Sequence, residues 1–231
     1  MTTGATEALL NAAAVSLKTA GMATIVALVL GGGLAWILSG RNGRWTLLVE
    51  FMVSLPLVLP PAMLGFYLLL ALGRSGPVGR VLYWLLDTEI IFTPAAAMLA
   101  AAIVALPIMY KTIKLLFDQV NPDVMDAAML DGASSWQLLL FVRLPLAWSG
   151  ILAGIMLSFL RALGEFGATL IVAGNIPGRT QTLSLALWSS VLSGDENTAH
   201  VLAAVLAGLA IPTLYAIRLL ERRHSPEPKA S

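Results

Sequence analysis

The chain is dominated by apolar runs close to the ~20 residues that an α-helix needs to cross the hydrocarbon of a bilayer. Thr19 to Ser39 forms one such run, and Leu47 to Leu72 a second, interrupted by Pro56, Pro60 and Pro61. Phe92 to Pro107 forms a third that continues amphipathically to Phe117. Leu146 to Leu163 forms a fourth, extended through a glycine-rich stretch to Ala173, and Val201 to Leu220 a fifth. Of 231 residues, 58% are hydrophobic and only 12% charged. An ordinary globular domain is roughly one quarter charged, so composition argues against a soluble globule, a disordered chain and a fibrous repeat. The reading is an all-α membrane protein, a single domain over residues 1–231 with about five transmembrane helices at 19–39, 47–72, 92–117, 146–173 and 201–220. Thr182 to Leu192 is apolar but too short to cross, and reads as a re-entrant or interfacial helix.

The 14 basic and 13 acidic residues leave a net charge of +1, which points to no nucleic-acid partner. Cysteine is absent, which removes disulfides, thiolate metal sites and a nucleophilic thiol. Placing the loop after the first span in the cytoplasm collects Arg41, Arg44, Lys111, Lys114, Arg143, Arg218, Arg222, Arg223 and Lys229 inside. Lys18, Arg74, Arg80 and Arg179 then lie outside. That asymmetry predicts the N-terminus outside and the C-terminus inside. The first 17 residues hold no Lys or Arg, so the basic region of a cleaved signal peptide is missing and span one is expected to be retained.

Residues 118–145 read as a helix-turn-helix on the membrane surface. Asn121-Pro122 is a helix start, with Asn as N-cap and Pro at the first helical position, and Asp123 and Asp126 complement the helix dipole. Gly132 suits a left-handed stop, and Ser134 or Ser135 can cap a second helix with an apolar face of Trp136, Leu139, Leu140 and Phe141. Leu144-Pro145 is expected to break that helix and launch span four. The small residues Ala127, Ala128 and Ala133 allow another backbone to approach, as a docking knob requires; an amphipathic loop resting on lipid headgroups fits the periodicity equally well.

The spacing Asp126-Ala127-Ala128, three residues, Gly132, nine residues, Val142, one residue, Leu144-Pro145 resembles the EAA loop of bacterial ABC importer permeases. The departure is Asp126, where the family pattern has Glu, so the carboxylate has a shorter reach. The resemblance implies an ABC importer permease fold whose cytoplasmic coupling loop inserts into a groove of a separate ATPase subunit. This chain has no phosphate-binding loop of its own: its lysines follow Leu17, Tyr110, Ile113 and Pro228, never Gly. ATP and magnesium are therefore expected on the partner, with no cofactor or metal on this chain. Ser54 to Leu70 and Leu163 to Leu183 resemble the corresponding stretches of molybdate/tungstate importer permeases, with the turn Asn175, Ile176, Pro177, Gly178, Thr180 and Thr182 as the external-loop signature. That resemblance implies a bacterial inner-membrane homodimer, surrounded by lipid, with two copies of an ATPase and a periplasmic or extracellular molybdate-binding protein. A sulfate or other oxyanion permease is the alternative.

Pro56, Pro60 and Pro61 each remove a helix hydrogen bond, so span two is expected to be kinked or partly unwound, either at a permeation pathway or for packing. Arg161 and Glu165 are read as charges deep in one span, four apart on one helix face. They form either an ion pair that lets the helix insert, or a source of positive potential for a passing dianion. Phe166, between Gly164 and Gly167, is either an apolar gate with its copy in a second subunit or ordinary packing. Gly150 and Gly154 allow close helix approach within the chain or across a dimer. Arg179, Asp195 and Glu196 would face outside, as a binding-protein contact or a solvated rim. An intramembrane enzyme or redox anchor is the distant alternative. His200 and His224 are the only histidines and fall at opposite sides of the membrane, and no oxyanion-forming glycine motif adjoins Ser189 or Ser190 near His200.

Overall fold

Among the residues described by the structure, a computed structural model covering 3–41 and 43–222, all regular structure is helical. Arg223, His224 and Lys229 lie outside the described residues. The elements are α1 (Thr3–Ala27), a π-helical stretch (Leu28–Gly32), α2 (Gly33–Leu38), α3 (Arg44–Val58), α4 (Pro61–Leu72), α5 (Pro77–Leu86) and α6 (Pro94–Asp118). They continue as α7 (Pro122–Leu130), α8 (Ser135–Leu138), a second π-helical stretch (Leu139–Arg143), α9 (Leu144–Leu163), α10 (Gly167–Ala173), α11 (Leu183–Leu192) and α12 (Glu196–Arg222). Among the described residues four helices are long and apolar enough to cross a membrane: Thr6–Leu38, Pro94–Asp118, Ser135–Leu163 and Glu196–Leu220; α3 with α4 makes a fifth when the bent pair is counted as one.

The first helix begins at Thr3, well before the expected Thr19. The hydroxyls that interrupt its apolar run are used inside the protein: Thr24 donates to the Ala20 carbonyl at 2.7 Å, and buried Ser16 accepts from the Leu183 backbone N–H at 2.7 Å. The second apolar run is bent by 115° between α3 and α4. A residue preceding proline is driven out of the helical region, and two such residues follow one another here. Leu59 (φ −72°, ψ 139°) and Pro60 (φ −55°, ψ 132°) are both extended, and Pro61 restarts the helix at its first position. The fourth run ends at Leu163, and residues 164–166 separate it from α10, so 146–173 is not one helix.

Pro145 does not break the helix that precedes it, contrary to the sequence expectation. Ser135 to Leu163 is continuous, with the π-helical turn Leu139–Arg143 directly before Leu144-Pro145. The Leu144 N–H bonds back five residues to the Leu139 carbonyl. That wider turn shifts the carbonyls that a proline ring would strike, so the proline is absorbed.

The centre of the bundle is α6, which packs against α1, α9, α10 and the bent pair. Its buried face is small: Ala96, Ala97, Ala100, Ala101 and Ala105 are fully enclosed. Helices in lipid have little hydrophobic drive to associate, and gain instead from backbones that come close. Gly31 shows how close: a methyl there would lie 3.2 Å from the Leu106 carbonyl oxygen. Gly150 and Gly154 meet Leu116 and Thr112 of α6, so this pair of glycines serves packing within the chain. At Gly65 in α4, a methyl would sit 2.7 Å from the Cα of Ala168 in α10. Gly65→Ala should therefore destabilise the detergent-solubilised protein by about 1–3 kcal/mol, the usual cost of overpacking. Gly208→Ala, with nothing within 4 Å, should be neutral or slightly stabilising in the same thermal unfolding measurement.

Candidate functional site

Two regions carry the sequence-predicted residues. The first is the loop 118–145. Asn121 accepts the Asp123 N–H at 2.9 Å and Pro122 opens α7. The helix closes on Gly132 at φ +84°, with Gly132 N–H bonded to Met129 O and Ala133 N–H to Ala128 O, both at 3.0 Å. Those paired bonds satisfy the last carbonyls and require a left-handed residue, which is why glycine stands there. Ser134 then opens α8 with a reciprocal cap: its N–H donates to Gln137 Oε1 at 2.8 Å, and its Oγ accepts the Gln137 N–H at 3.4 Å.

The turn folds Ala128, Gly132 and Val142 around one shallow groove of about 290 Å³. Asp126 and Ala127 are exposed, and Asp126 lines a separate cavity of about 660 Å³ beside Asp118 and Arg143. Leu144 and Pro145 lie within the continuous helix Ser135–Leu163. Val124, Met129, Leu130 and Phe141 are exposed around this end, Leu130 at 89%. Apolar side chains concentrated on a surface loop mark a surface made to be covered.

A polar network that sequence reading missed holds the loop to the bundle. Lys114 lies 2.6 Å from Asp118 and 3.2 Å from Glu50, and the Tyr110 hydroxyl donates to Glu50 at 3.4 Å. Asp118 also accepts the Gly40 N–H at 2.9 Å, while Arg143 donates to the Ser39 hydroxyl. Trp136 of α8 stacks on Trp36 of α2, with centroids 4.8 Å apart and planes 7° from parallel. The Lys114–Asp118 spacing of four was readable on a helix; the long-range partners Glu50, Gly40 and Ser39 were not.

The second region is the junction of α4 and α10. Pro61 and Gly167 meet here, with a methyl on Gly167 falling 3.2 Å from Pro61 Cβ. Pro56 stays inside α3, near its C-terminal end. Glu165 is 2% exposed and sits in the break after α9, not on the helical face expected from its spacing to Arg161. Its Oε2 accepts from Arg161 at 2.8 Å and its Oε1 accepts the Ala168 N–H at 2.9 Å. One carboxylate thus neutralises an arginine and satisfies the first turn of α10, which a bilayer interior demands of every broken helix. Phe166 is half-buried and its ring lies 5.7 Å from that of Trp188.

The external-loop residues form a tight turn beyond α10. Gly174 and Gly178 both take φ +71°. Thr180, fully buried, accepts the Ile176 N–H and donates to the Gly174 carbonyl, each at 3.1 Å. Thr182 caps α11 by accepting the Leu185 N–H. Pro177 is exposed, and the Asn175 side-chain oxygen is buried without a partner.

No group of three His, Asp or Glu able to hold a metal occurs among the described residues. Because Arg161 keeps 30% exposure, Arg161→Met should cost about 2 kcal/mol, below the roughly 3–5 kcal/mol for breaking a fully buried pair. Adding Glu165→Gln should recover most of that loss, since Gln retains an acceptor for Ala168 without a charge. Thermal unfolding of the two variants checks this, and an unaffected Arg161→Met would discount the pair.

A family model described as binding-protein-dependent transport system inner membrane component matches residues 23–226. The chain is 39% identical over 203 residues to YvgM of Bacillus subtilis, covering 88% of this chain and 89% of that protein. It is 37% identical over 203 residues to the molybdenum transport system permease protein ModB of Haemophilus influenzae, covering 87% and 89%. Identity to the sulfate transport system permease protein CysT of Escherichia coli is 31%, over 90% of this chain and 75% of that one. In fold it is similar to the MetNI methionine ABC transporter, with a TM-score of 0.76 at 15% identity, covering 98% of this chain and 100% of the other. The bent α3–α4 pair, the turn at Gly132 and the unbroken helix into α9 are thus parts of a transport subunit rather than an enzyme, and the chain belongs to the binding-protein-dependent transport system inner membrane component family.

Proposed function

We propose that this chain is the permease subunit of an importer for molybdate, with tungstate as a related substrate. It works as a homodimer with two copies of an ATPase subunit, which hold ATP and magnesium, and receives the anion from an extracytoplasmic molybdate-binding protein. The observation that carries the substrate is the graded similarity: the molybdenum permease matches more strongly, and over more of its own length, than the sulfate permease.

The loop 118–145 faces the cytoplasm and docks on the ATPase through the groove at Ala128, Gly132 and Val142, with exposed Leu130 and Met129 beside it. Force applied there enters a rod that is continuous from Ser135 to Leu163. A helix transmits displacement along its axis, so movement of α8 reaches the Gly164–Phe166 break, where Glu165 passes it to α10 and thence to α4. Pro60, Pro61, Gly167 and Phe166 stand where that motion would open or close a path between two copies. Arg161, being paired with Glu165, adds little net potential for the anion.

The orientation rests on the charge asymmetry and on two hydrogen bonds. Gly40 to Asp118 and Ser39 to Arg143 place the first loop and the coupling loop at one end of the bundle, which is the basic end. The N-terminus is then outside and the C-terminus inside.

Proteoliposomes holding the chain, its ATPase and its binding protein should take up radiolabelled molybdate in an ATP-dependent manner, well above sulfate. Sulfate uptake without molybdate uptake would overturn the substrate. The chain has no cysteine, so Gly43→Cys, exposed on the first loop with nothing within 4 Å of an added Cβ, is a unique topology reporter. A membrane-impermeant maleimide should label it in inverted vesicles and leave it unlabelled in intact cells; the opposite pattern would reverse the orientation.

A further inference from the structure

A groove of about 280 Å³ opens between the end of α2 and the start of the α8–α9 rod. Its polar wall is formed by Arg41, Arg143 and the hydroxyl-bearing Ser39 and Ser135; its apolar wall by Trp36 and Ile37, the latter 50% exposed. No carboxylate among the described residues lines it. Among the described residues neither arginine forms an ion pair, although the surrounding network is rich in charge. Asp118 is committed to Lys114 and the Gly40 N–H. Asp126 and Asp118 line the adjoining cavity, which shares Arg143 with this one. The Arg143 guanidinium is held by the Ser39 hydroxyl and lies 5.8 Å over the Phe117 ring, leaving its Nε buried with no acceptor.

Two guanidinium groups that form no ion pair among the described residues, one with an unanswered donor, offer planar N–H forks that match the oxygens of a phosphate. The apolar half identifies the carrier. A stacked tryptophan pair belongs at the membrane–water boundary, and exposed Ile37 continues the groove onto the apolar surface of the α1–α2 rod. We infer that this groove binds the phosphate of an anionic phospholipid between Arg41 and Arg143, with the first acyl carbons along Trp36 and Ile37. Basic pockets between spanning helices hold such headgroups. The site lies where α2 is fastened to the coupling loop, so an occupied groove would brace the stacked Trp36–Trp136 joint. The inference stands whichever way the protein faces and does not depend on the transported anion.

The test is native mass spectrometry of the delipidated permease–ATPase complex after adding back phosphatidylglycerol or phosphatidylcholine. The wild type should retain phosphatidylglycerol preferentially, and Arg41→Gln and Arg143→Gln should each reduce that preference, with the double variant removing it. Arg41 is exposed, so Arg41→Gln reads the site even if Arg143→Gln impairs folding. Inorganic phosphate, added as competitor, should leave the lipid bound. If phosphate binds to the same arginines and displaces the lipid, the oxyanion site stands and its occupant is a free ion, which overturns the lipid assignment. Equal retention of both lipids, or a preference untouched by Arg41→Gln, overturns the site itself.

Discussion

A helix interrupted inside hydrocarbon leaves peptide groups that no water can reach, and the architecture of this protein follows from how those groups are satisfied. Two interruptions face each other. Leu59–Pro60 turns α3 into α4, and Gly164–Phe166 separates α9 from α10. Glu165 answers the second break by accepting the Ala168 N–H, and Arg161 neutralises the charge that this brings into the interior. The half-helices then lie so close that Gly65 has no room for a side chain and Gly167 has little. Remove the carboxylate and the junction loses both its cap and its counter-ion.

The opposite device operates at the other end of the same rod. There a proline stands where a break would be expected, and the π-helical turn Leu139–Arg143 keeps the helix whole. Under the proposed function, a subunit driven at the loop 118–145 needs stiffness between that loop and the pathway, and compliance at the pathway itself. One unbroken helix, Ser135–Leu163, followed by the break at 164–166 would provide both. The Trp36–Trp136 stack and the Lys114–Asp118–Gly40 link fasten α2, α6 and α8 together at this end of the bundle.

Much of this was legible in the residues. Asn121-Pro122, Gly132 and a cap at Ser134 or Ser135 predict the turn through local backbone chemistry, and the structure realises it with Ser134 as the cap and adds the reciprocal Gln137 bond. The double proline predicts a bend because steric exclusion before proline acts over one residue. What was not legible depends on distant partners. The helix reaches back to Thr3, past Ser16, whose hydroxyl is satisfied inside the protein by a residue 167 positions away. Glu50 gives no local sign that it pairs with Lys114, and the spacing of Arg161 and Glu165 suggests a helical face that the break at Gly164 removes.

The sequence by itself determined the class of protein, the turn at Gly132 and the bend at Pro60-Pro61, because apolar run length, caps and proline sterics act within a few residues. The tertiary structure alone decided which breaks face each other, that Glu165 serves as cap and counter-ion together, and that Gly150 and Gly154 pack within the chain. Those outcomes turn on which backbone comes within about 3 Å of which other, and a one-dimensional pattern holds no such distance.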